Sequence, residues 1–147
     1  MAGRAEQRLN EIAAEFTELE PRERLELLLD FAEGLPALPE SLRAERESAD
    51  HRVHECMTPV YLWVLPENGH VQIHAEVAPE APTVKGFVGI LADAFSGATP
   101  EELLAVSPDV MRRLGLIEAL GMVRMRGLSA ILSRIRAEAV KLAAQSG

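Results

Sequence analysis

The run Val60-Tyr61-Leu62-Trp63-Val64-Leu65-Pro66-Glu67-Asn68-Gly69-His70-Val71-Gln72-Ile73-His74-Ala75-Glu76-Val77 reads as a β-hairpin. Its first half is rich in β-branched and aromatic residues, and Asn-Gly is the strongest short signal for a hairpin turn. In its second half Val71, Ile73, Ala75 and Val77 alternate with Gln72, His74 and Glu76, so one strand face is apolar and the other polar. Pro59 and Pro66 bracket the first strand. Neither can donate a ladder hydrogen bond, so that strand is expected to span Val60 to Leu65, with Pro66 to Gly69 as the turn.

Helical spacing surrounds the hairpin. On the N-terminal side Leu9, Ile12, Ala13, Phe16 and Leu19 form one stripe. Pro21 suits the first turn of a second helix, in which Leu25, Leu28, Leu29 and Ala32 share a face and which Gly34 ends. Leu35-Pro36-Ala37-Leu38-Pro39 cannot remain helical, and Glu40 to Asp50 is a charged connector with room for a turn of helix. Beyond the hairpin, Thr83 is the expected N-cap of a helix with Val84, Phe87, Val88, Leu91 and Phe95 on its apolar stripe. Gly86 and Gly89 inside that stripe lower helix propensity by about 1 kcal/mol each relative to alanine, and mark close backbone approach. Thr99-Pro100-Glu101-Glu102 is a capping box. Ser107-Pro108 starts a short helix, and Gly115 and Gly121 interrupt the chain beyond it. A last helix from Gly127 carries Leu128, Ile131, Leu132, Ile135, Ala139 and Leu142. The order predicts an α+β fold: a small antiparallel sheet with the hairpin at its core, packed against helices. Residues 1–147 read as a single domain.

The chain has 147 residues, 48% of them hydrophobic and 26% charged. A folded domain of this length hides roughly 68–70% of its extended-chain surface, enough for a core without disulfides or metal staples. The net charge of −8 argues against nucleic acid or an anionic membrane as the main partner. No run approaches the roughly 20 apolar residues of a membrane helix, and Met1 to Asn10 does not resemble a signal peptide. The expected compartment is the reducing cytoplasm, where a lone thiol persists.

That thiol is Cys56, the only cysteine, in Val53-His54-Glu55-Cys56-Met57-Thr58-Pro59. One sulfur can form neither an internal disulfide nor a thiolate zinc cage. If it does chemistry it acts as nucleophile, redox sensor or sulfur carrier, and the bland reading is a small packed residue. His54 lies two positions away and in extended chain shares its side, where an imidazolium would favour the thiolate. His51, His54 and Cys56 lack an obvious fourth ligand for a metal. Arg124 and Arg126 precede the last helix. No phosphate loop, dinucleotide fingerprint, paired-cysteine motif or nucleophile elbow occurs.

Leu35-Pro36-Ala37-Leu38-Pro39, His51-Arg52-Val53-His54-Glu55-Cys56, Val84-Lys85-Gly86-Phe87-Val88, Ser96-Gly97-Ala98-Thr99-Pro100-Glu101-Glu102 and Arg124-Met125-Arg126-Gly127-Leu128 succeed one another in order. In this the chain resembles the SufE family of sulfur-acceptor proteins from about Phe16 to Ile135. The resemblance implies a fold shared with IscU-type scaffolds and no cofactor. It implies a carrier, not an enzyme, that accepts sulfur from the persulfide of a cysteine desulfurase, a pyridoxal-phosphate enzyme. The carrier stimulates that partner and hands sulfur to an iron–sulfur scaffold complex. The acceptor cysteine falls on Cys56 and the family's arginine on Arg124; His54 joins them on spacing. Glu55, Met57 and Thr58 replace the glycine and glutamine-serine common around the cysteine, and Met125 and Arg126 replace a serine and an amide. Met57, Val60 and Leu62 are expected to shelter the sulfur. Two other readings stand beside this one: an adaptor in which Cys56 is structural, and a thiol enzyme such as a peroxidase or acyl transferase.

Overall fold

A computed structural model of the chain describes residues 3–46 and 51–146. The charged connector's Glu47 to Asp50 lie outside the described residues. Helices α1 (Arg4–Thr17), α2 (Pro21–Gly34) and the single turn α3 (Glu40–Arg43) precede strands β1 (Val60–Glu67) and β2 (His70–Val77). Helices α4 (Pro82–Phe95), α5 (Pro100–Leu104), α6 (Val110–Arg113) and α7 (Leu116–Leu120) come next, then a 3-10 turn at Met122–Arg124 that runs into α8 (Met125–Ser146). This is the α+β arrangement expected, a two-stranded antiparallel sheet packed against helices.

The hairpin is longer than Pro66 suggested. β1 pairs with β2 from Val60↔Val77 to Glu67↔His70, and the loop is only Asn68-Gly69, with φ of 55° and 80°. Both central residues thus occupy the left-handed region that a type I′ turn requires. Glu67↔His70 closes the turn as a hydrogen-bonded pair, so Pro66↔Val71 is a non-hydrogen-bonded pair. The proline nitrogen then points away from β2, and its missing N–H removes nothing from the ladder. Val60, Leu62 and Val64 face Val77, Ala75 and Ile73 across the ladder, and all six are buried.

The close approach read from Gly86 and Gly89 is present. A Cβ at Gly86 would lie 2.3 Å from the Leu28 carbonyl oxygen, and one at Gly89 2.3 Å from that of Phe31. α2 and α4 therefore meet backbone to backbone beneath the sheet. The apolar face of α2 is rotated from the expected one: Leu28 and Ala32 are buried and Phe31 packs on the core, whereas Leu29 is 41% exposed. The α2–α4 contact fixes that rotation, because Leu28 and Phe31 are the residues that meet the glycines. α1 ends at Thr17, which leaves Leu19 half-buried beyond it.

Thr83 is not the cap of α4. The helix begins two residues earlier, at Pro82 with Ala81 as its cap, because proline's fixed φ suits the first helical position. The Thr99 capping box forms as read: Glu102 N–H donates to Thr99 Oγ1 at 3.1 Å and Thr99 N–H to Glu102 Oε1 at 2.9 Å. α6 starts at Val110, two residues after Pro108, with the Ser107 hydroxyl donating to Asp109 Oδ1 at 2.6 Å. α8 starts at Met125, so Gly127 lies inside its first turn. Its residues Leu128, Ile131, Leu132, Ile135 and Ala139 are all buried.

Candidate functional site around Cys56

Cys56 occupies the tip of a second, smaller hairpin. His51 to Val53 run antiparallel to the outer edge of β1: Arg52 pairs with Tyr61. Val53 N–H donates to Val60 O and Leu62 N–H to His51 O, both at 2.9 Å. The His51 ring stacks on Trp63 with centroids 4.5 Å apart, and Arg134 of α8 donates to Arg52 O at 3.2 Å. The base of the loop 54–59 is thus held by a ladder, a ring stack and a helix.

Inside the loop the backbone is not extended. Cys56 N–H donates to Val53 O at 3.2 Å and closes a turn over residues 53–56. This removes the premise that placed His54 and Cys56 on one side: His54 and Glu55 are exposed, while Cys56 is turned inward and only 7% exposed. Met57 is not a shelter either, because its side chain is 100% exposed. Val60 and Leu62 are buried in the same apolar cluster as Cys56.

The sulfur lies against the first turn of α8. Its S–H donates to Gly127 O at 3.5 Å, a contact that suits the protonated thiol, since a thiolate has no hydrogen to give that carbonyl. A Cβ at Gly127 would meet Cys56 Sγ at 3.5 Å and Cα at 4.0 Å, so glycine leaves the space beside the sulfur free. Burial pushes the thiol up from its ordinary range, the Glu55 charge adds to this, and Arg52 opposes both. Burial and the Gly127 contact both favour the protonated thiol at rest.

Arg124 ends the 3-10 turn that leads into α8. It is exposed, and its guanidinium donates to Thr83 Oγ1 on the first turn of α4 at 2.5 Å. The two helix starts that frame this end of the fold are therefore tied together. Arg52, Gly127 and Thr83 went unnoticed as site residues in sequence. Arg52 sits four positions before the cysteine, and a cation near a lone thiol is a signal that could have found it. Gly127 carried a signal as well, a glycine inside a helical stripe. Thr83 carried none beyond its apparent role as a cap.

A cleft of about 790 Å³ lies between α2, α4 and β2, lined by Phe31, Leu38, Ile73 and Ala92 among others. No residue of the loop 54–59 or of 121–127 lines it. Among the described residues no three His, Cys, Asp or Glu side chains are gathered to hold a metal. Among the same residues no helix is long and apolar enough to cross a membrane.

Residues 10–139 match the family model described as SufE, an Fe-S metabolism associated domain. An uncharacterised SufE-like protein of Mycobacterium tuberculosis is 40% identical over 129 residues, covering 87% of this chain and 88% of that protein. SufE-like protein 2 of Arabidopsis thaliana chloroplasts is 32% identical over 111 residues, 74% of this chain and 41% of that protein. The solution structure of a hypothetical protein from Thermus thermophilus superposes with a TM-score of 0.81 at 34% identity, over 98% of this chain and 99% of that one. With the family model spanning most of its length and relatives matching on both sides of the thiol, this chain belongs to the SufE family.

Proposed function

We propose that the protein is a sulfur carrier that takes the outer sulfur of a cysteine desulfurase persulfide onto Cys56 and passes it to an iron–sulfur scaffold complex. One observation supports this above the rest. The chain's single cysteine is held at the tip of a loop, against Gly127 and near Arg52, in a member of a family associated with Fe–S metabolism.

The step is a thiol–disulfide-type exchange. The Cys56 thiol gives up its proton, and the thiolate attacks the outer sulfur of the donor persulfide. A new S–S bond forms to Cys56, and the donor's S–S bond breaks with its electron pair left on the donor sulfur. The donor thiolate takes up a proton, and nothing is oxidised or reduced overall. Cys56 must first leave Gly127 O, because attack requires the S–H proton to be given up and the buried sulfur to be reachable. Docking of the desulfurase turns the loop tip outward, while the Val53–Val60 bond keeps its base in place. We assign to Arg124, three residues before the Gly127 that the sulfur leaves, the stabilisation of the anionic persulfide formed on Cys56, and His54, exposed on the same loop, is the second residue assigned to the step.

The test is transfer itself. With purified desulfurase and cysteine, the mass of the intact chain is expected to rise by one sulfur. The Cys56→Ser variant is expected to show neither the mass shift nor the rise in desulfurase turnover. Full stimulation by Cys56→Ser, or sulfur label absent from the chain, would remove the carrier reading. The burial of Cys56 favours one second reading, an adaptor that stimulates a desulfurase by binding alone. Under it Cys56 stays resistant to alkylation when the desulfurase is added.

A further inference from the structure

The surface near the buried thiol carries large apolar side chains that the core does not cover. Met57, next to Cys56, is 100% exposed, and Met122, at the start of the 3-10 turn, is 70% exposed. They account for two of the chain's four exposed large hydrophobic side chains among the described residues. Cys56 Sγ contacts Gly127 O, and Met122 lies five residues before Gly127 along a 3-10 and α-helical path. At about 1.5–2 Å of rise per residue that path is about 10 Å long. The two methionines therefore lie at the same end of the fold as the thiol, one beside it in the loop and one on the approach to Gly127. Arg124 and Arg126 are exposed on the same path, and the ion pairs among the described residues involve neither. Glu55 is the one carboxylate within the loop 54–59. On a chain of net charge −8, Arg124 and Arg126 put two exposed cations on the approach to the thiol beside this apolar surface.

We propose that Met57, Met122 and Arg126 form a contact ring that selects the sulfur donor. The partner is a cysteine desulfurase whose persulfide cysteine lies in an apolar recess bordered by carboxylates. This rests on the reading of Cys56 as sulfur acceptor and adds the chemistry of the surface it meets. Exposed apolar side chains grouped at one place mark interaction sites. Methionine's unbranched, polarisable chain fills an irregular recess with little demand on geometry. Arg126 supplies charge complementarity at the rim, where it acts on the association rate and its dependence on salt. Glu55 within the ring requires a donor from the partner.

The experiment uses the full chain and the cysteine desulfurase of the same organism. Binding is measured by calorimetry at low and high salt, and sulfur transfer by intact mass. Met57→Gln/Met122→Gln keeps side-chain length and removes the apolar tips. It is expected to weaken binding at least tenfold and raise the KM for the carrier with little change in kcat. Arg126→Gln is expected to weaken binding at low salt and flatten the salt dependence. Leu29→Gln/Val140→Gln, which alters exposed hydrophobic side chains elsewhere, is the control and should bind as the wild type does. Wild-type affinity in the methionine variant, or an equal loss in the control, overturns the ring. So does a stable dimer of the free protein that dissociates in the methionine variant, because the surface would then belong to a second copy. If the wild type neither binds the desulfurase nor gains sulfur, the carrier reading fails first. If it does both and the ring variants match it, the ring alone fails.

Discussion

Replacing Gly86 by alanine tests the contact on which α4, and hence Thr83, is seated. The new Cβ would lie 2.3 Å from the Leu28 carbonyl oxygen and 2.8 Å from Leu28 Cγ. Carbon and carbonyl oxygen in van der Waals contact stand about 3.3 Å apart, so α2 and α4 must separate by about 1 Å. The obstructing oxygen is backbone, so no side-chain rotation relieves it. Alanine gains about 1 kcal/mol of helix propensity. Overpacking a fitted interior costs about 1–3 kcal/mol or more, and opening one helix pair loosens Leu28 and its neighbours besides. The clash is expected to win, with a net loss of about 2 kcal/mol and a fall in Tm of about 4–8 °C for a chain of this size. Differential scanning calorimetry reads the shift. Gly34→Ala is the internal control: no atom lies within 4 Å of its Cβ, so Tm should hold or rise slightly. A Gly86→Ala protein as stable as the wild type would refute the backbone contact and the rotation of α2 drawn from it.

Further predictions concern the thiol, its frame and one cap. Burial raises the folded-state pKa of Cys56, so its contribution to stability is complete below the ordinary thiol value of about 8.5 and is lost as pH rises through the folded value. Alkylation of the isolated protein should accordingly be slower than that of free cysteine at pH 7, with the rise of its rate with pH displaced upward. Added desulfurase should speed it at pH 7, and a rate equal to that of free cysteine in the isolated protein would show the loop already open. Thr83→Val removes the acceptor of Arg124 and should lower stimulated desulfurase turnover about twofold to tenfold, the range of one net hydrogen bond. Arg124→Ala should lower it further, and undiminished turnover in Arg124→Ala would exclude that residue from the transfer. Thr99→Ala loses the cap of α5 at about 1 kcal/mol and should lower Tm by about 2–4 °C without affecting transfer, as thermal melts and the mass assay together would show.

The hairpin was legible because turn chemistry and alternation agree over Val60 to Val77, and the capping box because its two bonds are local. Gly86 and Gly89 were legible as sites of close approach because glycine in an apolar helix stripe has few other uses. The features that sequence alone did not reveal depend on partners distant along the chain. Leu29 and Phe31 are equally good core residues by spacing, and only the glycines of α4 decide between them. Thr83 looks like a cap until Arg124, forty-one residues later, claims its hydroxyl. The turn over 53–56 defeated the spacing argument for His54, since polar residues ahead of a strand do not announce whether the chain there is extended or bent. Pro66 misled in a more regular way: proline limits a strand only where its nitrogen faces a partner, and that depends on register.

The bond from Val53 N–H to Val60 O has a mechanical consequence. It acts as a hinge pin: with Ala78 N–H also holding Pro59 O at 3.2 Å, residues 54–58 can swing without any strand changing register. The work of exposing the sulfur is then the loss of one weak S–H···O=C contact and of the turn bond from Cys56 N–H to Val53 O, with the hydration of one small side chain, roughly 2–3 kcal/mol. Even a fleeting encounter of modest affinity releases enough free energy to do that work. The latch is light enough for a visitor to lift and heavy enough to stay shut in the visitor's absence.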